Sequence, residues 1–100
     1  MKNLQGEMEK TKSQKEKINA ALKAARVTAS SGAGLVEVTL DGTGGVQNID
    51  ISESILSRDN KTMLETLIAS AFSEALRKVD IKKEEEARKA VSELFGGMTK

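Results

Sequence analysis

The chain's 100 residues fit one domain, and they include no Cys, no His, no Trp and no Tyr. A core this small usually needs a staple, but disulfides are excluded and carboxylates alone rarely build a zinc site, so oligomerisation is the natural way to add buried area. The net charge of +1 hides an uneven distribution: Lys/Arg against Asp/Glu run seven to three over residues 1–26, one to five over 27–60 and eight to seven over 61–100. A basic arm of this kind suits an anionic partner, although a solvated helix face would read the same way.

The first element is a helix over residues 1–26, rich in Lys, Glu, Gln and Ala with Gly6 near its end. Leu4, Met8, Thr11, Lys15, Ile18, Leu22 and Ala25 follow a four-three seam that is apolar at both ends and polar in its middle. Such a stripe docks on a neighbour but would hardly stay folded alone in water.

Residues 27–51 read as a small antiparallel sheet of two to three strands. Val36, Val38 and Leu40 alternate with Glu37 and Thr39, the period of a half-buried strand. Asp41-Gly42-Thr43-Gly44-Gly45 supplies a tight connection, and Val46, Ile49 and Ile51 form the next strand. Val46 is out of phase with the other two, which predicts a bulge or a late start. Val27-Thr28-Ala29 adds a short strand, with Ser30-Ser31-Gly32-Ala33-Gly34 as its turn. Two or three strands with one apolar face need cover from a helix or another sheet.

A long helix over residues 57–95 completes the chain, with Ser57, Asp59 and Asn60 as candidate N-caps. Met63, Leu64, Leu67, Ile68, Ala71, Phe72, Ala75, Leu76 and Val79 make a broad apolar stripe that marks the centre of the core. Residues 80–89 carry four basic and four acidic side chains; Ala90, Val91, Leu94 and Phe95 then resume an apolar patch before Gly96-Gly97. The fold class is therefore α+β: helix, small antiparallel sheet, long C-terminal helix.

The inventory argues against catalysis. Without His or Cys there is no Ser-His or Cys-His nucleophile pair, and no carboxylate sits in an apolar setting that would raise its pKa for acid work. The glycine runs at 32–34 and 42–45 lead into strands rather than helix N-termini, so phosphate-loop mechanisms lack their geometry. Glu84, Glu85 and Glu86 point three ways round a helix and make no calcium loop. No cofactor, metal or small-molecule substrate is expected. No stretch approaches the roughly eighteen apolar residues of a membrane span, and the first residues hold no signal-like apolar run, so a cytoplasmic, membrane-free protein is expected. Helix-turn-helix, zinc-finger and aromatic stacking signatures are also missing, so any DNA binding would work through charge and shape.

Ser31-Gly32-Ala33-Gly34-Leu35-Val36-Glu37-Val38-Thr39-Leu40-Asp41-Gly42 resembles the glycine-led strand and turn of the YbaB/EbfC family of bacterial nucleoid-associated proteins. Ile49-Asp50-Ile51, Ile55-Leu56, Asp59-Asn60-Lys61-Thr62-Met63-Leu64-Glu65-Thr66-Leu67 and Ala69-Ser70-Ala71-Phe72 continue the similarity in the family's order, from Ser31 to Val79. Glu37 stands where many members have Lys, and Ser52 where many have Pro. The resemblance implies a homodimer whose helical arms project like tweezers, grip double-stranded DNA through its phosphates, and affect nucleoid organisation and gene expression. On that reading the phosphate contacts are Lys10, Lys12, Lys15, Lys17, Lys23 and Arg26 on the arm, with Lys82, Lys83, Arg88 and Lys89 on the last helix. The dimer interface draws on Val36, Val38, Leu40, Ile49, Leu64, Leu67, Ile68 and Phe72. The alternative is an assembly module whose amphipathic arm takes a partner protein's helix through Leu4, Met8, Ile18 and Leu22.

Overall fold

The structure, a computed structural model, describes residues 2–95, with side-chain surroundings from residue 13 onward. Helix α1 spans Lys2–Ala24, strands β1, β2 and β3 span Arg26–Ser31, Val36–Asp41 and Val46–Ile51, and helix α2 spans Lys61–Phe95. Two short 3₁₀ turns, Glu53–Ile55 and Arg58–Asn60, join β3 to α2. The strands form one antiparallel meander in the order β1-β2-β3. This is the α+β architecture that the hydrophobic periodicities require.

Strand β1 is longer than its sequence suggests. Ser30 and Ser31 pair with Glu37 and Val36 instead of turning, and the Ser31 hydroxyl donates to the Leu67 carbonyl of α2 at 2.6 Å. That tertiary bond offsets the poor strand propensity of serine. The turn is instead carried by Gly32, Ala33 and Gly34, all with positive φ. On the other side of β2 the register slips between Thr39 and Leu40, so that Leu40 faces Val46 and Thr39 faces Asn48. Gln47 is the extra residue of a bulge, as the phase of Val46 requires.

Val36, Val38 and Leu40 point from one face of the sheet and are completely buried, beside Ala29, Ile55, Ala71, Ala75 and Val79. Ala71 and Ala75 lie at the centre of the α2 contact, where small side chains allow close approach to the sheet. Helix α2 crosses β1 and β2 but stops short of β3. None of the candidate N-caps holds α2 by its side chain in the usual way. Ser57 makes no capping bond, the second 3₁₀ turn leads directly into the helix, and the Asn60 side chain donates to the Ile55 carbonyl.

The β2–β3 turn is organised by one carboxylate. Asp41, only 8 % exposed, accepts from the Thr43 hydroxyl and from the backbone N–H groups of Thr43 and Gly45 at 2.8 and 3.0 Å, and its other oxygen accepts from Gln47 at 3.1 Å. These donors, the Thr43 hydroxyl foremost, hold its carboxyl at about 2, against an ordinary value of 3.8. A depressed folded-state pKa adds stability that is complete above the unfolded value and drains as pH falls toward the folded one. Asp41→Asn should therefore flatten the fall in unfolding temperature between pH 4 and pH 2, with wild type declining more steeply. Parallel curves for the two proteins over that window would remove this role.

Candidate nucleic-acid interface

Helix α1 does not project alone. Gln14, Lys17, Ile18 and Ala21 share a groove of about 170 Å³ with Glu86, Lys89, Ala90 and Glu93 of α2. Both sets follow the i, i+3, i+4, i+7 spacing of one helix face. Arg26, just past α1, lies beside Lys82, so the two helices run antiparallel and form one two-helix arm. The molecule is accordingly 67 Å long and only 16 Å thick.

The described part of the α1 seam is consumed within the chain. Leu22 is buried and Ile18 half-buried, and a partner helix would have to displace α2 to reach them. This weakens the assembly-module alternative. Leu4, Met8, Lys10 and Lys12 have side chains outside the described residues.

Of the expected phosphate contacts, Lys15, Lys17, Lys23 and Arg26 are exposed, and none forms an ion pair among the described residues. The α2 group behaves differently. Lys82 lies 3.6 Å from Glu85 and 3.8 Å from Glu86, Lys89 lies 3.4 Å from Glu86, and Arg88 lies 3.7 Å from Glu84. Lys83 alone of that group stands outside these pairs. The exposed Arg88–Glu84 pair adds little to stability, Glu86 is largely covered, and each pair offsets a positive charge that a phosphate would otherwise meet. Arg77 is matched in the same way: it bonds Glu74 through two nitrogens, at 2.6 and 3.2 Å, and holds that carboxyl below its usual range.

Lys78 is the cation the sequence reading passed over. Its ammonium donates to the Thr28 carbonyl of β1 at 2.6 Å. It lies within the apolar stripe, just before Val79, and so reads as a surface residue of the core segment, yet it stands four positions before Lys82 on the same helix face. That spacing was a usable signal.

Among the residues expected at a dimer interface, Val36, Val38 and Leu40 are fully covered by the chain's own α2. Ile49 remains exposed, while Leu64, Leu67, Ile68 and Phe72 are half-buried. Among the described residues no helix is long and apolar enough to cross a membrane, and no cluster of three or more acidic side chains could hold a metal ion.

The model of the YbaB/EbfC DNA-binding family matches residues 1–94. The chain belongs to that family. Membership supports a nucleoid-associated DNA-binding role. The fold is also similar to that in the crystal structure of uncharacterized protein HP0035 from Helicobacter pylori. The TM-score is 0.80 at 22 % identity, covering 91 % of this chain and 96 % of the other. A likeness at that identity speaks for the fold alone.

Proposed function

We propose that this protein is a non-catalytic, cofactor-free component of the nucleoid that grips duplex DNA as a homodimer through its two-helix arms. The family match over residues 1–94 carries the reading, and Lys15, Lys17 and Lys23 on α1, exposed and without an ion pair among the described residues, agree with it. Contact through phosphates positions a protein without reading sequence, which fits a chain whose only aromatic residues are Phe72 and Phe95. Compaction of the nucleoid and an influence on gene expression would follow from many such contacts.

The homodimer is supported by the part of the sheet that α2 leaves open. Val46 and Ile49 emerge on the same face as Leu40 and Val38, their cross-strand partners, yet they are 54 % and 43 % exposed. Leu67 and Lys78 bond to β1, which fixes one flank of α2 toward that strand. At 3.6 residues per turn, Phe72 and Leu76 occupy the opposite flank, and Leu76 is 49 % exposed. Together with Ile51 and Ile68 they bound an apolar angle between β3 and α2. A second copy covers it with the same surface, as two-fold symmetry demands.

Sedimentation and duplex titration test both halves. The chain is expected to sediment at twice its 10.7 kDa mass, and Ile49→Glu is expected to give monomers. Duplex affinity should fall as salt rises, with log Kobs declining by about 0.9 for each phosphate contacted per tenfold rise in salt. A monomeric wild type, or binding indifferent to salt, would overturn the corresponding half.

A further inference from the structure

We infer that the cleft at the base of the arm, between β1 and α2, is a seat for a backbone phosphate of duplex DNA. This rests on the DNA-binding reading above and adds a specific site to it. The cleft has a volume of about 320 Å³ and is lined by Arg26, Val27 and Thr28 from β1 and by Lys78, Ile81, Lys82 and Glu85 from α2. Three cations thus face one carboxylate.

Two of the three cations are fixed in place by neutral carbonyls rather than by carboxylates. Arg26 donates through Nη1 to the Lys23 and Ala25 carbonyls, at 2.7 and 2.9 Å. That covers the carbonyl end of α1, which would otherwise repel an anion, and commits one nitrogen of the guanidinium fork. Nε and Nη2 stay available. Lys78 spends one of its three N–H donors on Thr28. Neither side chain has a carboxylate within 4 Å among the described residues; Glu74, one turn before Lys78, feels its charge but is bonded to Arg77. A cation already held by a neutral carbonyl loses less freedom when it meets a phosphate than a lysine extended into water. Lys82 is shared with Glu85 and Glu86; Glu85, half in solvent, can swing out of the cleft when an anion enters. The lysines along the arm then act as a diffuse positive surface, and the base of the arm is the fixed point of contact.

The test uses the full chain and a fluorescein-labelled duplex, titrated by anisotropy between about 50 and 200 mM salt. Lys78→Met keeps the aliphatic stem and removes the charge; Arg26→Ala removes the fork; Lys61→Ala removes an exposed charge paired with Glu65 at the far end of α2. Circular dichroism confirms that each variant is folded, and Lys78→Met carries the test if Arg26→Ala is not. Lys78→Met and Arg26→Ala are each expected to lower the salt exponent by about 0.9, the value of one phosphate, and to weaken low-salt binding several-fold. Lys61→Ala should leave the exponent unchanged. If wild type binds and Lys78→Met retains both affinity and exponent, the seat falls while the DNA-binding reading stands. If wild type does not bind duplex, both fall. If inorganic phosphate at matched ionic strength shifts the Arg26 and Thr28 amide resonances while duplex does not, the cleft belongs to free phosphate, and the duplex assignment is overturned.

Discussion

Leu40→Ala is expected to lower the unfolding free energy by about 3 kcal/mol, within the 2–5 kcal/mol typical of buried leucine truncation. Leu40 is fully buried in the central strand, with Val36 and Val38 beside it and α2 above. The space it leaves cannot readily collapse, because β2 is held by ladders on both sides. In a domain of this size each kcal/mol moves the midpoint by roughly 4–8 °C, so a fall well beyond 10 °C is expected. Leu56→Ala is the matched control: Leu56 is largely exposed and should change stability by no more than about 0.5 kcal/mol. Both are read by urea denaturation at equal chain concentration, since a dimer's stability depends on it. Equal midpoints for the two variants would mean that α2 does not seat on the sheet as described.

Gly42→Ala should be nearly as costly, for a different reason. The Gly42 N–H donates to the Leu22 carbonyl at 2.7 Å, fastening the β2–β3 turn to the last turn of α1. A β-carbon at position 42 would lie 2.6 Å from that oxygen and 2.9 Å from the Leu22 Cα. Both are backbone atoms, which cannot rotate away. Either the turn or the arm must move, at a cost of about 1–3 kcal/mol for the overpacking and roughly 1 kcal/mol for the bond. Because the chain has no cysteine, spin labels at Lys17→Cys and Asp50→Cys report the arm-to-sheet distance without interference. The expected result is a lower unfolding temperature with a shifted or broadened distance distribution. An unchanged distance and midpoint would show that the glycine is dispensable.

Much of this architecture is written in local patterns. The alternation at Val36, Val38 and Leu40, the phase error at Val46 and the stripe from Met63 to Val79 each impose one element, because burial enforces a period. The end of β1 was not legible, since Ser30 and Ser31 are held in the strand by a bond to Leu67, thirty-six positions away. The uncovered edge at β3 was hidden for a similar reason: Ile49 and Ile51 alternate as the apolar residues of β2 do, and only the path of α2 separates covered from open. For the interface, charge counting located the basic arm but weighted Lys82, Arg88 and Lys89 like the α1 lysines. Their glutamates at three and four positions were visible in the sequence and could have discounted them. The bond between Lys78 and Thr28 spans fifty residues and has no local signature.

The meander order β1-β2-β3 has a kinetic consequence. Every strand pairs with its neighbour in sequence, so the sheet closes only short loops and can assemble early. Helix α2 must then return across long separations to cover Val36, Val38 and Leu40. Docking of that helix is non-local, and until it is complete the chain exposes the apolar face of its central strand to any other chain nearby.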